Sequence, residues 1–158
     1  MTTRAEIRRL LAQGRYALSV GRVREVVPLI KEQPALAAYL VELLFEQDIG
    51  ISQRAADVLE RVSHKPSAAL YRVLAQSKET LVGLLAEAEP KKLRWNLALT
   101  LGRLPLSVPE CHRCAQILST ALMLRYGFGL EKAEKEPSPS PRLTSRFEAL
   151  SPLESLIV

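Results

Sequence analysis

The chain has 158 residues, 47% hydrophobic and 5% aromatic, with 22 Lys+Arg against 17 Asp+Glu, which fits one domain plus a tail and excludes disorder throughout. No window approaches the roughly 18 uninterrupted apolar residues of a membrane span, the MTTRAEIRRLL start does not read as a secretory signal, and two cysteines make no disulfide framework. A cytoplasmic, reduced protein without a membrane partner is expected. The net charge of +5 resolves into blocks: +4 over residues 1–33, −3 over 34–90, +5 over 91–126 and −1 over 127–158.

In chain order, Arg4–Gln13 reads as a helix through Ile7, Leu10 and Leu11, ended by Gly14. Val20–Glu32 reads as a second through Val23, Val26, Val27 and Ile30, with a kink or break expected at Pro28. From Pro34, a good first-turn residue, Leu36, Ala37, Leu40, Val41, Leu43 and Leu44 form an amphipathic stripe that Asp48-Ile49-Gly50 interrupts. Ile51, Ala55, Val58, Leu59 and Val62 mark the next helix, and Ser63-His64-Lys65-Pro66 breaks it. A short helix over Ala68–Ala75 follows, then a longer one with Leu81, Val82, Leu84 and Leu85, stopped by Pro90. Leu93, Leu97, Ala98, Leu101 and Leu104 carry another. After Pro105 and Ser107-Val108-Pro109 comes a last helix with Cys111, Cys114, Ile117, Leu118 and Ala121. No stretch of strict alternation competes, so the fold class is all-α.

Two of these helices repeat. ISQRAADVLERV (Ile51–Val62) aligns with LRWNLALTLGRL (Leu93–Leu104) at an offset of 42 residues, pairing Ile51 with Leu93, Ala56 with Ala98, Leu59 with Leu101 and Arg61 with Arg103. A period near 40 built of antiparallel helix pairs marks helical-repeat arrays, in which one hairpin cannot bury its apolar face alone and stacked hairpins build a continuous core. Leu93-Arg94-Trp95-Asn96-Leu97-Ala98-Leu99-Thr100-Leu101-Gly102 resembles the second helix of bacterial HEAT-like repeats, with Leu97 and Thr100 where small alanines are usual. Ile51–Glu60 is similar but has Glu60 in place of the terminal glycine. The resemblance spans roughly residues 34–122 and implies a short α-solenoid of HEAT or armadillo type over residues 1–126. Such repeats mostly serve as protein-binding scaffolds, and some bind DNA or take part in tetrapyrrole attachment.

A third hairpin opens at Pro109–Leu124 without a second helix to close it. Residues 127–158 instead read as a charged, Pro/Ser-rich, disordered tail. Ile117, Leu118, Leu122, Met123, Leu124 and Tyr126 give the last helix an apolar face without an evident neighbour. The closing segment FEALSPLESLIV, a partner or second copy, or further repeats of a longer array would each cover it.

Chemistry-bearing motifs are sparse. Cys111-His112-Arg113-Cys114 has redox-pair spacing at a helix start, yet it lacks the βαβ context, and two cysteines with two histidines make a poor zinc set. Core packing accounts for both cysteines. His64 suits an exposed turn. Asp48 and Glu89 end corresponding helices and suit caps for the next helix better than an acid/base pair. Ser155-Leu156-Ile157-Val158 matches only a very permissive strand-addition pattern. No phosphate loop is present, and neither a cofactor nor a metal is expected. The reading is a non-enzymatic scaffold binding a protein or peptide along one face, with Lys91, Lys92, Arg94, Trp95 and Arg103 as candidate contacts. The alternative is nucleic-acid binding through the basic residues of 91–126. Trp95 either anchors a ligand or fills an inter-helix groove.

Overall fold

In the computed structural model, residues 2–14, 19–89 and 91–126 are described. The expected tail over 127–158, Pro90 and the side chains of Leu124, Arg125 and Tyr126 lie outside the described residues. Two compact units are distinguished, Met1–Leu118 and Ser119–Val158. Every described element is helical: α1 Arg4–Ala12, α2 Val23–Glu32, α3 Leu36–Leu43, α4 Ile49–Ser63, α5 Ala68–Gln76, α6 Lys78–Glu87, α7 Lys91–Leu101 and α8 Val108–Tyr126.

The helix starts follow from side chains that satisfy the orphan first-turn N–H groups. The Thr3 hydroxyl accepts from Glu6 N–H, the Ser67 hydroxyl from Leu70 N–H, and the Asp48 carboxylate from Gly50 and Ile51 N–H at 2.8 and 3.2 Å. Asp48 therefore opens α4 one residue ahead of Ile49 and Gly50, which form its first turn instead of interrupting the chain. Helix α2 runs on through Pro28, without the expected break. Pro28 and Arg24, whose carbonyl loses its partner, are both exposed, so water takes the freed carbonyl while buried Val23, Val26 and Ile30 hold the helix in place.

Within the first unit, α1 packs on α2 and α3, and α3 in turn on α5. On the other side α4 packs on α2 and on α7, the latter being the most extensive helix contact in the chain. The antiparallel partners α3 with α4 and α6 with α7 close pairs between the two series. Leu11, Ile30, Leu40, Ile51, Leu59, Leu74, Leu85, Leu97 and Leu101 are among the side chains sealed in the single core that results. Few of its members are large rings, in keeping with the low aromatic content.

Helix α4 is covered on almost every side. It touches α1, α2, α3 and α7, and even Ser52, Gln53, Arg54 and Asp57 are buried. The Arg54 guanidinium donates through Nε to the Leu11 carbonyl at 2.5 Å, closing the C-terminal end of α1. Glycines make the room for it. A Cβ at Gly50 would lie 2.6 Å from Arg54 Nη2, one at Gly14 would lie 2.7 Å from Cζ, and Gly21 also packs against the side chain. Gly21 has φ +52°, a left-handed backbone that costs glycine little.

Candidate functional site

The five candidate contacts separate once placed on their helices. Lys91 and Trp95 stand one turn apart on α7, and both are exposed, the indole by 65%. Of the two readings for Trp95, the groove-filling one is overturned: the ring stands out in solvent, because Leu93, Leu97 and Leu101 already fill the inward stripe of α7. Lys92 and Arg94 are half-buried beside them. Arg94 Nε is buried without a hydrogen-bond partner among the described residues, as are Gln53 Oε1 and Asn96 Nδ2.

Arg103 does other work. Its guanidinium donates to the Glu60 carbonyl at 2.7 Å and the Ser63 hydroxyl at 3.0 Å, and it pairs with the Glu60 carboxylate at 2.8 Å. It thus satisfies acceptors at the C-terminal end of α4, where a cation also suits the helix dipole. Arg113 lies 3.5 Å from Glu79. The basic block of residues 91–126 is therefore interleaved with carboxylates supplied by α4 and α6.

Helix α8 is joined to α6 by a charged knot that the sequence reading passed over. Glu110 accepts from Ser107 N–H at 2.6 Å and from the Ser107 hydroxyl at 2.8 Å, and its other oxygen lies 2.8 Å from Lys78 Nζ. The Lys78 ammonium and the two Ser107 donors hold the Glu110 carboxyl down at about 2. The signal was Ser107-Val108-Pro109-Glu110, the Ser-x-x-Glu spacing of a capping box.

The cysteines follow the packing reading. Cys114 is buried against the core and Cys111 is exposed. Burial pushes the Cys114 thiol up, with Cys111 adding to the shift, which disfavours the thiolate that redox chemistry requires. Asp48 is a helix cap, as derived above, while Glu89 and His64 are exposed. Among the described residues no group of three His, Cys, Asp or Glu side chains could hold a metal ion, and no helix is long and apolar enough to cross a membrane.

A second exposed patch, unforeseen in the sequence, surrounds the turn from α3 to α4. Phe45 and Ile49 are 57% and 53% exposed. Phe45 borders a shallow depression of about 310 Å³ with Tyr39, Glu42, Leu43, Glu46 and Gln47. Its carboxylates are engaged from α1: Arg4 reaches Glu42 at 3.3 Å, Arg8 reaches Glu46 at 2.8 Å, and the Arg4 guanidinium sits 5.1 Å from the Tyr39 ring centroid. The Arg8 hydrogen bond keeps the Glu46 carboxyl below its usual range. The signal here was Phe45 itself, one position past the α3 stripe.

No family model matches this chain, and no curated protein or solved structure matches it either.

Proposed function

We propose that this chain is a short HEAT-like α-solenoid acting as a non-enzymatic scaffold, and that it binds a protein or peptide along the outer face of α7. The packing series α1–α3–α5 and α2–α4–α7 supports the repeat reading, since stacked hairpins place first helices against first helices and second against second. The 42-residue offset supports it again. Helices α4 and α7 begin at Ile49 and Lys91, in that same register, and Ile51, Leu59 and Val62 are buried like their counterparts Leu93, Leu101 and Leu104.

One observation carries the binding face: the single tryptophan of the chain stands 65% exposed, with Lys91 one turn away. An aromatic ring left in solvent beside a flexible cation is the composition of a recognition anchor. Protein is favoured over nucleic acid because Arg103 and Arg113 are engaged by Glu60 and Glu79, which leaves little of the basic block to neutralise phosphates.

The test compares proteins captured by the immobilised wild-type chain with those captured by Trp95→Ala and Lys91→Ala. Partners lost from both variants support the face, and an unchanged set overturns it. A labelled duplex that binds at low salt and dissociates steeply as salt rises would transfer the face to nucleic acid.

A further inference from the structure

Helix α8 carries a second apolar surface, on a different helix from the Trp95 face. Val108, Cys111, Ala115 and Leu118 follow one another at intervals of three, four and three residues, the spacing that aligns side chains into one seam along a helix. All four are exposed, Val108 by 69% and Leu118 by 36%. The seam is not the side that α8 turns toward its own unit. Cys114 and Ile117 face the core, while Glu110 and Arg113 reach Lys78 and Glu79 on α6. A surface helix ordinarily turns such a stripe inward, and α8 leaves it in solvent.

Charge and size narrow the occupant. No Asp, Glu, Lys or Arg stands in the seam. Ser107, His112 and Cys114 flank it, and the charges on this stretch of α8 are already paired elsewhere. A partner recognised by charge finds nothing here to hold. Two copies of this chain, each carrying +5 overall, meet here without bringing like charges together. The residue sizes are also symmetric: large, small, small, large, on a spacing that reads the same in both directions. Two antiparallel helices that cross need small side chains where their backbones approach most closely and larger ones where they diverge. Cys111 and Ala115 supply the first, Val108 and Leu118 the second.

We infer that α8 is a self-association surface, on which a second copy of this chain lays its own α8 antiparallel across Val108, Cys111, Ala115 and Leu118. The two-fold axis passes between Cys111 and Ala115, so the same patch serves both copies. This contact does not depend on the Trp95 face, and the failure of either reading leaves the other standing.

Sedimentation of the full chain over rising concentration tests it, with Leu118→Glu and Ala115→Glu as variants. Both substitutions are at exposed positions, and unchanged helical circular dichroism verifies the fold. The expected result is a reversible wild-type dimer whose dissociation constant rises by about tenfold or more in each variant. In a second measurement, Ala115→Cys sets a thiol against Cys111 of the second copy. Oxidation with diamide should then give a covalent dimer joined between positions 111 and 115, abolished by adding Cys111→Ser. A wild-type chain that stays monomeric at every concentration, a dimer indifferent to both glutamates, or an Ala115→Cys chain that forms no such link would each overturn the inference.

Discussion

Helices α4 and α7 are written in the same apolar register 42 residues apart, yet one lies inside the molecule and the other at its surface. Both bury the shared stripe: Ile51, Val58 and Leu59 in α4, and Leu93, Thr100 and Leu101 in α7. They differ on the other faces. Gln53 and Asp57 of α4 are buried, while their counterparts Trp95 and Leu99 are exposed and half-buried. The polar residues lie inside and the tryptophan outside, the reverse of what hydropathy alone assigns. The cause is neighbours. Four helices surround α4, whereas α7 packs chiefly on α4 and α6. In a stacked array, position in the stack decides how many faces of a helix are covered.

The comparison breaks most readily at Arg54. Its guanidinium is buried and bonded to the Leu11 carbonyl, in space left by Gly14, Gly21 and Gly50. Arg54→Met leaves that carbonyl without its donor and the glycine-lined space unfilled, so a loss of about 3 kcal/mol in urea unfolding is expected. The counterpart Asn96 is also buried, but its Nδ2 has no partner among the described residues. Asn96→Ala is therefore expected to cost less than about 1 kcal/mol. Equal losses at the two positions would show that burial alone, and not the bond to α1, sets the difference.

Arg61 and Arg103 sharpen it further. They share the register, but Arg61 is exposed and pairs with Asp57 on its own helix at 2.9 Å, while Arg103 bridges from beyond the end of α7 to Glu60 and Ser63. Arg103→Ala should lower stability by about 1–2 kcal/mol, and Arg61→Ala by about 0.5 kcal/mol or less. Thermal unfolding of the two variants side by side measures the gap.

Much of the fold was legible because helices are written locally. The apolar spacing placed α1, α4, α5 and α7 to within a few residues of their ends, since the buried stripe itself fixes them. What escaped depends on distant partners. Nothing near Arg54 in the sequence announces that it will be buried, because the glycines that accept it lie as far away as Gly14 and Gly21. Pro28 was expected to break α2, since the pattern does not state that it faces water. At the candidate face, Lys91 and Trp95 were picked out by charge and rarity and both are exposed, whereas Arg103 was picked out by the same criteria and is engaged by Glu60 and Ser63. Composition marks a basic residue, but only the fold decides which carboxylate it meets.

Acid probes the side of the molecule beyond α7, where Lys78 and Ser107 hold the Glu110 carboxyl at about 2, below its ordinary 4.5. A carboxyl depressed in the folded chain contributes stability that is fully present above the unfolded value, and that contribution is lost as pH falls toward about 2. Unfolding followed between those values should show wild type losing stability more steeply than Glu110→Gln, which has no carboxylate to protonate. Near neutral pH the variant should be modestly less stable, and the two curves should converge in acid. Parallel curves throughout would mean that the Lys78 contact does not anchor the start of α8.

The smallest expected stability effect is at the residue given the largest binding role. Trp95→Ala removes the biggest side chain in α7, and at a buried position that loss would cost about 3–5 kcal/mol. At 65% exposure the indole has little packing to lose, and alanine is the stronger helix former, so the change in stability should stay within about 0.5 kcal/mol. Chemical denaturation followed by circular dichroism is the appropriate measurement, because the variant removes the only indole from the fluorescence signal. A loss above 2 kcal/mol would return Trp95 to the core and remove the proposed face. A near-zero change combined with lost partner capture would separate its contribution to recognition from its contribution to folding, which a buried counterpart in α4 could not do.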